Sequence, residues 1–358
     1  RWCPTPASPA AGLVRSAGFF GADSSRGTKN EGKGWTWIGL AREKNCYVRG
    51  LLVQSIPPMT RILTTIVLAA ATASAFAQAP AAPAADTAKS LVSTYGAWPT
   101  AMVRKDVNAW QRTTAPHRQM EVRNRLLSEK RAFPGGVFDL PAPPPSLEGL
   151  KLIHLSQRGP TAKAAFFGKV DFGVGGAPAN NILVLSFANS GGWKYDRADF
   201  VNLAALPEVR NELAENNLKY VSETPEFQAS GTLPPTPPAV APAKYIAKVY
   251  VFCPGREVQV QVNQASRHRF ANAKEAEIVI GGALDGPNNV TYTVKGLEGG
   301  TGKEALTVRV YLMSEIDGTK PVKAFEYQVN EGGSVQPFGK GTFTVDAATA
   351  AKLLAPKR

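Results

Sequence analysis

Residues 233–243 read LPPTPPAVAPA, five prolines in eleven residues. Proline locks its own φ and donates no backbone N–H, so this stretch cannot be helical and favours an extended, polyproline-like path. It therefore divides the chain into two units. The expected units are residues 86–232 and 244–346, and they differ in pattern.

Upstream of the prolines, helical signals come first. Residues 88–98 are helix-like, and Pro99 is expected to kink the helix or open a new turn. Asp106 is placed to cap a short helix carrying Trp110. Pro116 suits the first turn of a third helix, anchored by Met120, Leu126 and Leu127 and running to about Arg131. After the breaker Phe133-Pro134-Gly135-Gly136 and a Pro-rich loop come four strand candidates, at 149–156, 162–172, 181–188 and 192–203. Helices followed by a meander of strands indicate an α+β unit.

Two stretches carry a family resemblance: KDVNAWQRTT at 105–114 and GGWKYDRADFVNL at 191–203. In this order, residues 86–222 resemble the nuclear transport factor two-like, or SnoaL-like, superfamily. The resemblance implies an α+β cone, in which helices pack on a curved antiparallel sheet. It also implies a pocket at the cone's open end, where some relatives act as isomerases, dehydratases or cyclases through Asp, His and Tyr. Other relatives only bind or assemble, and copies pair through the open sheet face, so a homodimer is an expectation. Fold alone does not decide among these.

Downstream of the prolines the chain reads as all β. Seven strands are expected, at 245–253, 257–263, 276–280, 289–295, 305–314, 322–329 and 341–345, separated by Gly, Asn, Asp and Pro turns. That spacing points to an all-β sandwich, with a short helix in the tail at 347–358.

The amino-terminal part reads differently. Met59-Thr60-Arg61 leads into the twelve-residue apolar run ILTTIVLAAATA, followed by Ala75-Phe76-Ala77. The run is too short to span a bilayer, but a basic start and small residues before a cut suit a signal peptide at 59–77. Cleavage is expected between Ala77 and Gln78, before an Ala/Pro tether at 78–85. Residues 1–58 show no sustained period and are expected to be a disordered leader foreign to the folded protein. The localisation expected is periplasmic or extracellular, with an envelope or extracellular partner.

The charge agrees with this division. The whole chain carries +13, but residues 1–78 hold +6 of it, leaving +7 for the remainder. That is too weak a basic footprint for a dedicated nucleic-acid binder. Only Cys253 of the three cysteines lies beyond residue 78, in the strand-like VYVFC, and it is expected to be buried and structural.

Motifs that carry chemistry are scarce. His117, His154 and His268 have no His or Cys within five residues, so no metal site is expected. No phosphate loop, serine elbow or other cofactor motif is present, and the Gly-rich stretch at 173–176 reads as a turn. His154, with Asp171 or Tyr95, is the best acid–base set, provided that His154 alternates with Leu150 and Leu152 to face the cone. Arg118 and Arg125, and Arg123 and Lys130, are each seven apart and form a basic helix face suited to a polyanion. Sugar binding through an aromatic platform is disfavoured because residues 244–358 contain no Trp. The overall expectation is a binding or assembly protein, with a small-molecule enzyme as the alternative.

Overall fold

The computed structural model describes residues 83–140, 143–170, 179–316 and 318–354. The leader, the signal segment with Ala77 and Gln78, and the Gly-rich stretch at 173–176 lie outside the described residues. So does Asp171.

Helix α1 (Pro83–Arg104) already includes the last three residues of the expected tether, and it runs unbroken through Pro99. The helix continues past the proline because Leu91, Tyr95, Trp98 and Met102 recur at helical spacing and are all buried in one core. That burial outweighs one lost backbone hydrogen bond. Asp106 caps α2 (Val107–Thr113) through the Ala109 N–H at 2.9 Å. Helix α3 (Pro116–Ser128) begins at its proline, as expected, and stops three residues before Arg131.

Four antiparallel strands come next in simple meander order: β1 (Lys151–Arg158), β2 (Thr161–Val170), β3 (Ala179–Asn189) and β4 (Trp193–Val201). Ala164, Phe166, Leu183 and Leu185 face the helices. Ala165, Ile182, Val184 and Val201 face the other way, beneath α4 (Pro207–Ala214), α5 (Lys219–Glu223) and Phe227. This second face of the sheet is thus covered by α4, α5 and Phe227. The covering explains why β3 is apolar on both sides, with eight consecutive buried residues.

Beyond the prolines lie eight strands among the described residues. They are β5 (Ala247–Phe252), β6 (Arg256–Val262), β7 (Ser266–Ala271), β8 (Lys274–Ile278), β9 (Gly286–Gly296), β10 (Leu306–Leu312), β11 (Val322–Val329) and β12 (Phe338–Val345). They form two four-stranded antiparallel sheets, ordered β11-β10-β5-β8 and β12-β9-β6-β7. Both contribute to one core, including Val249, Val251, Val260, Phe270, Val308, Val310 and Phe343. The seven expected strands omit β7, whose inward residues begin with Ser266 and His268 instead of aliphatics. Helix α6 (Ala347–Leu353) closes the described chain, capped by Asp346. The arrangement is a small helical region with a sheet, mixed α+β, followed by a β-rich part.

Candidate functional site

The expected acid–base residues are not brought together. Tyr95 lies under the helices, 2 % exposed, and its hydroxyl donates to the Pro145 carbonyl at 2.8 Å. Burial pushes its pKa well above the usual tyrosine value. His154 lies on the opposite face of the sheet. A register shift between Leu152 and His154 leaves Ile153 as the bulged residue and sets His154 opposite Ala165, which faces away from the helices. The expected alternation of His154 with Leu150 and Leu152 fails for this reason. Gln228 approaches the His154 ring, with the two Nε2 atoms 3.3 Å apart. Burial lowers the His154 pKa, and the Gln228 contact offsets part of that.

Aromatic rings fill the space under the helices. Trp98 lies 4.4 Å from Tyr195 between ring centroids, and Tyr95 lies 5.5 Å from Tyr195. Trp110 meets Phe133 edge-on at 6.2 Å. At the border of this core, His117 Nε2 lies 2.9 Å from Asp196 Oδ1, with His117 itself 4 % exposed. Burial would raise the Asp196 pKa. The hydrogen bond and charge of His117, with Arg118 and Arg197, overcome that and hold the carboxyl below its ordinary value. Sequence spacing could not reveal this pair, because its members are 79 residues apart.

The four cations of the basic helix are engaged. Arg118 pairs with Glu121 at 3.0 Å and Arg125 with Glu129 at 3.1 Å. Lys130 meets Glu315 of the β-rich part. Arg123 donates to the Val240 carbonyl at 3.1 Å. Beside it, the buried Asn124 donates to the Pro238 carbonyl at 2.8 Å and accepts the Val240 N–H at 3.1 Å. The Ala243 N–H reaches the Leu127 carbonyl at 3.0 Å, and the Gly281 N–H reaches Ser128 Oγ at 2.8 Å. One side of α3 is therefore a seat for the proline-rich segment and the turn that follows β8.

A further constellation has no counterpart among the sequence motifs. Ser266 Oγ lies 2.6 Å from His268 Nε2, and His268 Nδ1 lies 2.7 Å from Glu277 Oε2. The carboxylate can only accept, so Nδ1 carries a proton and a neutral ring accepts from Ser266. The connectivity matches a nucleophilic triad. The environment does not, because Ser266 is 0 % exposed and its oxygen also accepts the Ile280 N–H at 2.8 Å. Since β7 and β8 are edge strands of different sheets, the chain of bonds ties the two sheets together along one side.

Cys253 is fully buried, and burial raises its thiol pKa, which suits the structural role expected of it. Among the described residues no three His, Cys, Asp or Glu side chains converge as a metal site. No described helix is long and apolar enough to cross a membrane. No family profile, curated protein or solved structure matches this chain.

Proposed function

We propose that the chain is an exported protein of the periplasm or the exterior that binds or assembles instead of catalysing. In this reading the first unit is a cone of the nuclear transport factor two-like type and the second a β-sandwich. The observation that carries the non-catalytic reading is the separation of Tyr95 and His154 by the sheet itself. General acid–base catalysis needs both groups within hydrogen-bond reach of one substrate. Tyr95 is committed to a backbone carbonyl, and the space beside it is filled by Trp98 and Tyr195. The cone reading is supported by helices packed on a four-stranded meander, and the sandwich by two sheets sharing one core. Export rests on the run from Met59 to Ala77.

Expression of residues 59–358 in a Gram-negative host, followed by fractionation and mass measurement of the amino-terminal peptide, tests the compartment. A periplasmic product beginning at Gln78 is expected. A cytoplasmic product retaining Met59 would overturn the export reading.

A further inference from the structure

We propose that the outer face of the sheet β11-β10-β5-β8 binds an acidic polysaccharide. The inference deepens the binding reading above and rests on it. Along β5, Ala247, Val249 and Val251 enter the core, so Lys248, Tyr250 and Phe252 point outward. Along β10, Val308 and Val310 point in, while Arg309 and Tyr311 point out. The register sets Tyr250 directly opposite Arg309. Tyr250, Phe252 and Tyr311 are all part-exposed, and the two tyrosine rings lie 6.5 Å apart at 74°. The β-rich part has no tryptophan platform. Instead, the sheet assembles an aromatic surface from three residues on two strands.

The polar groups between the rings are held in place. Arg309 donates to Glu326 at 2.5 Å, to Gln328 at 2.8 Å and to the Tyr311 hydroxyl at 3.3 Å. Lys323 also bonds Glu326. A planar guanidinium, a carboxylate and an amide beside aromatic rings suit a sugar: the rings take its C–H face, and the fixed polar groups take its hydroxyls. Fixed side chains also lose little entropy on binding.

Charge selects the class of sugar. Lys248, Lys274, Arg309 and Lys323 share this face with a single carboxylate, Glu326, among the described residues. Lys248 and Lys274 form no ion pair with another described residue. Across the strand pairs, Phe252 faces Lys274 and Tyr250 faces the small Ala276, while the buried Ile278 faces Lys248 and closes that end of the surface. Cations around an aromatic centre complement a uronate-bearing strand. Glu326, on the edge strand β11 beside Arg309, favours hydroxyls and disfavours the dense phosphates of a nucleic acid.

The test is affinity electrophoresis of the full chain in gels containing polygalacturonate. Neutral dextran, single-stranded DNA and phosphatidylglycerol vesicles serve as comparisons in parallel assays. Retardation by polygalacturonate that weakens with salt is expected, with dextran much weaker. Tyr250→Ala should weaken it at least about tenfold. The double variant Lys248→Gln/Lys274→Gln, altering one part-exposed and one exposed lysine without an ion pair among the described residues, should weaken polygalacturonate binding with its melting temperature unchanged. No retardation by polygalacturonate would overturn the proposal, as would retardation unchanged in the double lysine variant. Equal or tighter binding to DNA or vesicles would overturn it too. A cytoplasmic product in the fractionation experiment would defeat the export reading alone and leave this result standing.

Discussion

Asn124 is a poor choice for the middle of an exposed helix, because its amide competes for backbone hydrogen bonds. Here it is 2 % exposed and satisfies the backbone of Pro238 and Val240. Asn124→Ala should destabilise the chain by about 1–3 kcal/mol in urea denaturation, because the Val240 N–H loses its acceptor. Asp196 adds a pH dependence. Its folded pKa lies below the ordinary value of 3.8, so its stabilisation is fully present above that value and is lost as pH falls through the lowered pKa. Asp196→Asn should cost about 1–3 kcal/mol at neutral pH and flatten the fall in stability as pH drops below the ordinary carboxylate value. Parallel profiles of variant and parent would refute that role. Ser266 should behave as structure: a fluorophosphonate probe should leave it unlabelled in the folded chain, and Ser266→Ala should lower the melting temperature. Labelling of Ser266 would instead make the relay catalytic.

Among the elements, α3 has the most unusual burial. Val122 and Leu126 enter the helical core, while Asn124 and Ser128 are buried against the proline-rich segment and the Gly281 turn. Its basic residues were legible in the sequence, but the partners of Arg123 and Lys130 were not, because Val240 and Glu315 lie more than a hundred residues away. The triple variant Arg118→Ala, Arg123→Ala and Arg125→Ala should therefore lose stability, by the sum of two ion pairs and one bond to Val240. The Gly281-Gly282 turn that meets α3 is as constrained. Gly282 has φ +66°, and a Cβ there would sit 2.3 Å from the Tyr245 carbonyl oxygen. Gly282→Ala should destabilise by about 2 kcal/mol or more, since backbone must move and the conformation is strained for an L residue. Strands with aliphatic alternation, such as β6 and β10, were readable because one face of each is buried in the shared core. Two kinds of element were not. β7 places a hydrogen-bonded serine and histidine where a hydropathy pattern wants aliphatics. Helices α4 and α5 are short and take their stability from Val209, Leu213 and Val221 packing on the sheet. The candidate site suffered similarly: a single bulge at Ile153 sends His154 to the other face, and bulges leave no signature in hydropathy.

At the scale of the whole molecule, the proline-rich segment decides whether the two parts move independently. Its sequence alone reads as a semi-rigid spacer between free units. The structure adds three anchors along its length: Pro238 and Val240 on Asn124, Val240 on Arg123, and Ala243 on the Leu127 carbonyl. Gly281 on Ser128 and Lys130 with Glu315 continue the contact directly between the two parts. Each bond is modest alone, about 0.5–1.5 kcal/mol. Together they act on a segment whose prolines have already given up much of their conformational entropy, so ordering it costs little more. The two parts should therefore behave as one body. Spin labels at Ala97 on α1 and Thr342 on β12, both exposed, should give a single narrow distance distribution by double electron–electron resonance. The pair Asn124→Ala/Ser128→Ala should broaden it while each part keeps its own secondary structure. A broad distribution in the parent chain would mean that the anchors do not hold in solution, and that α3 is free to present its arginines to another partner.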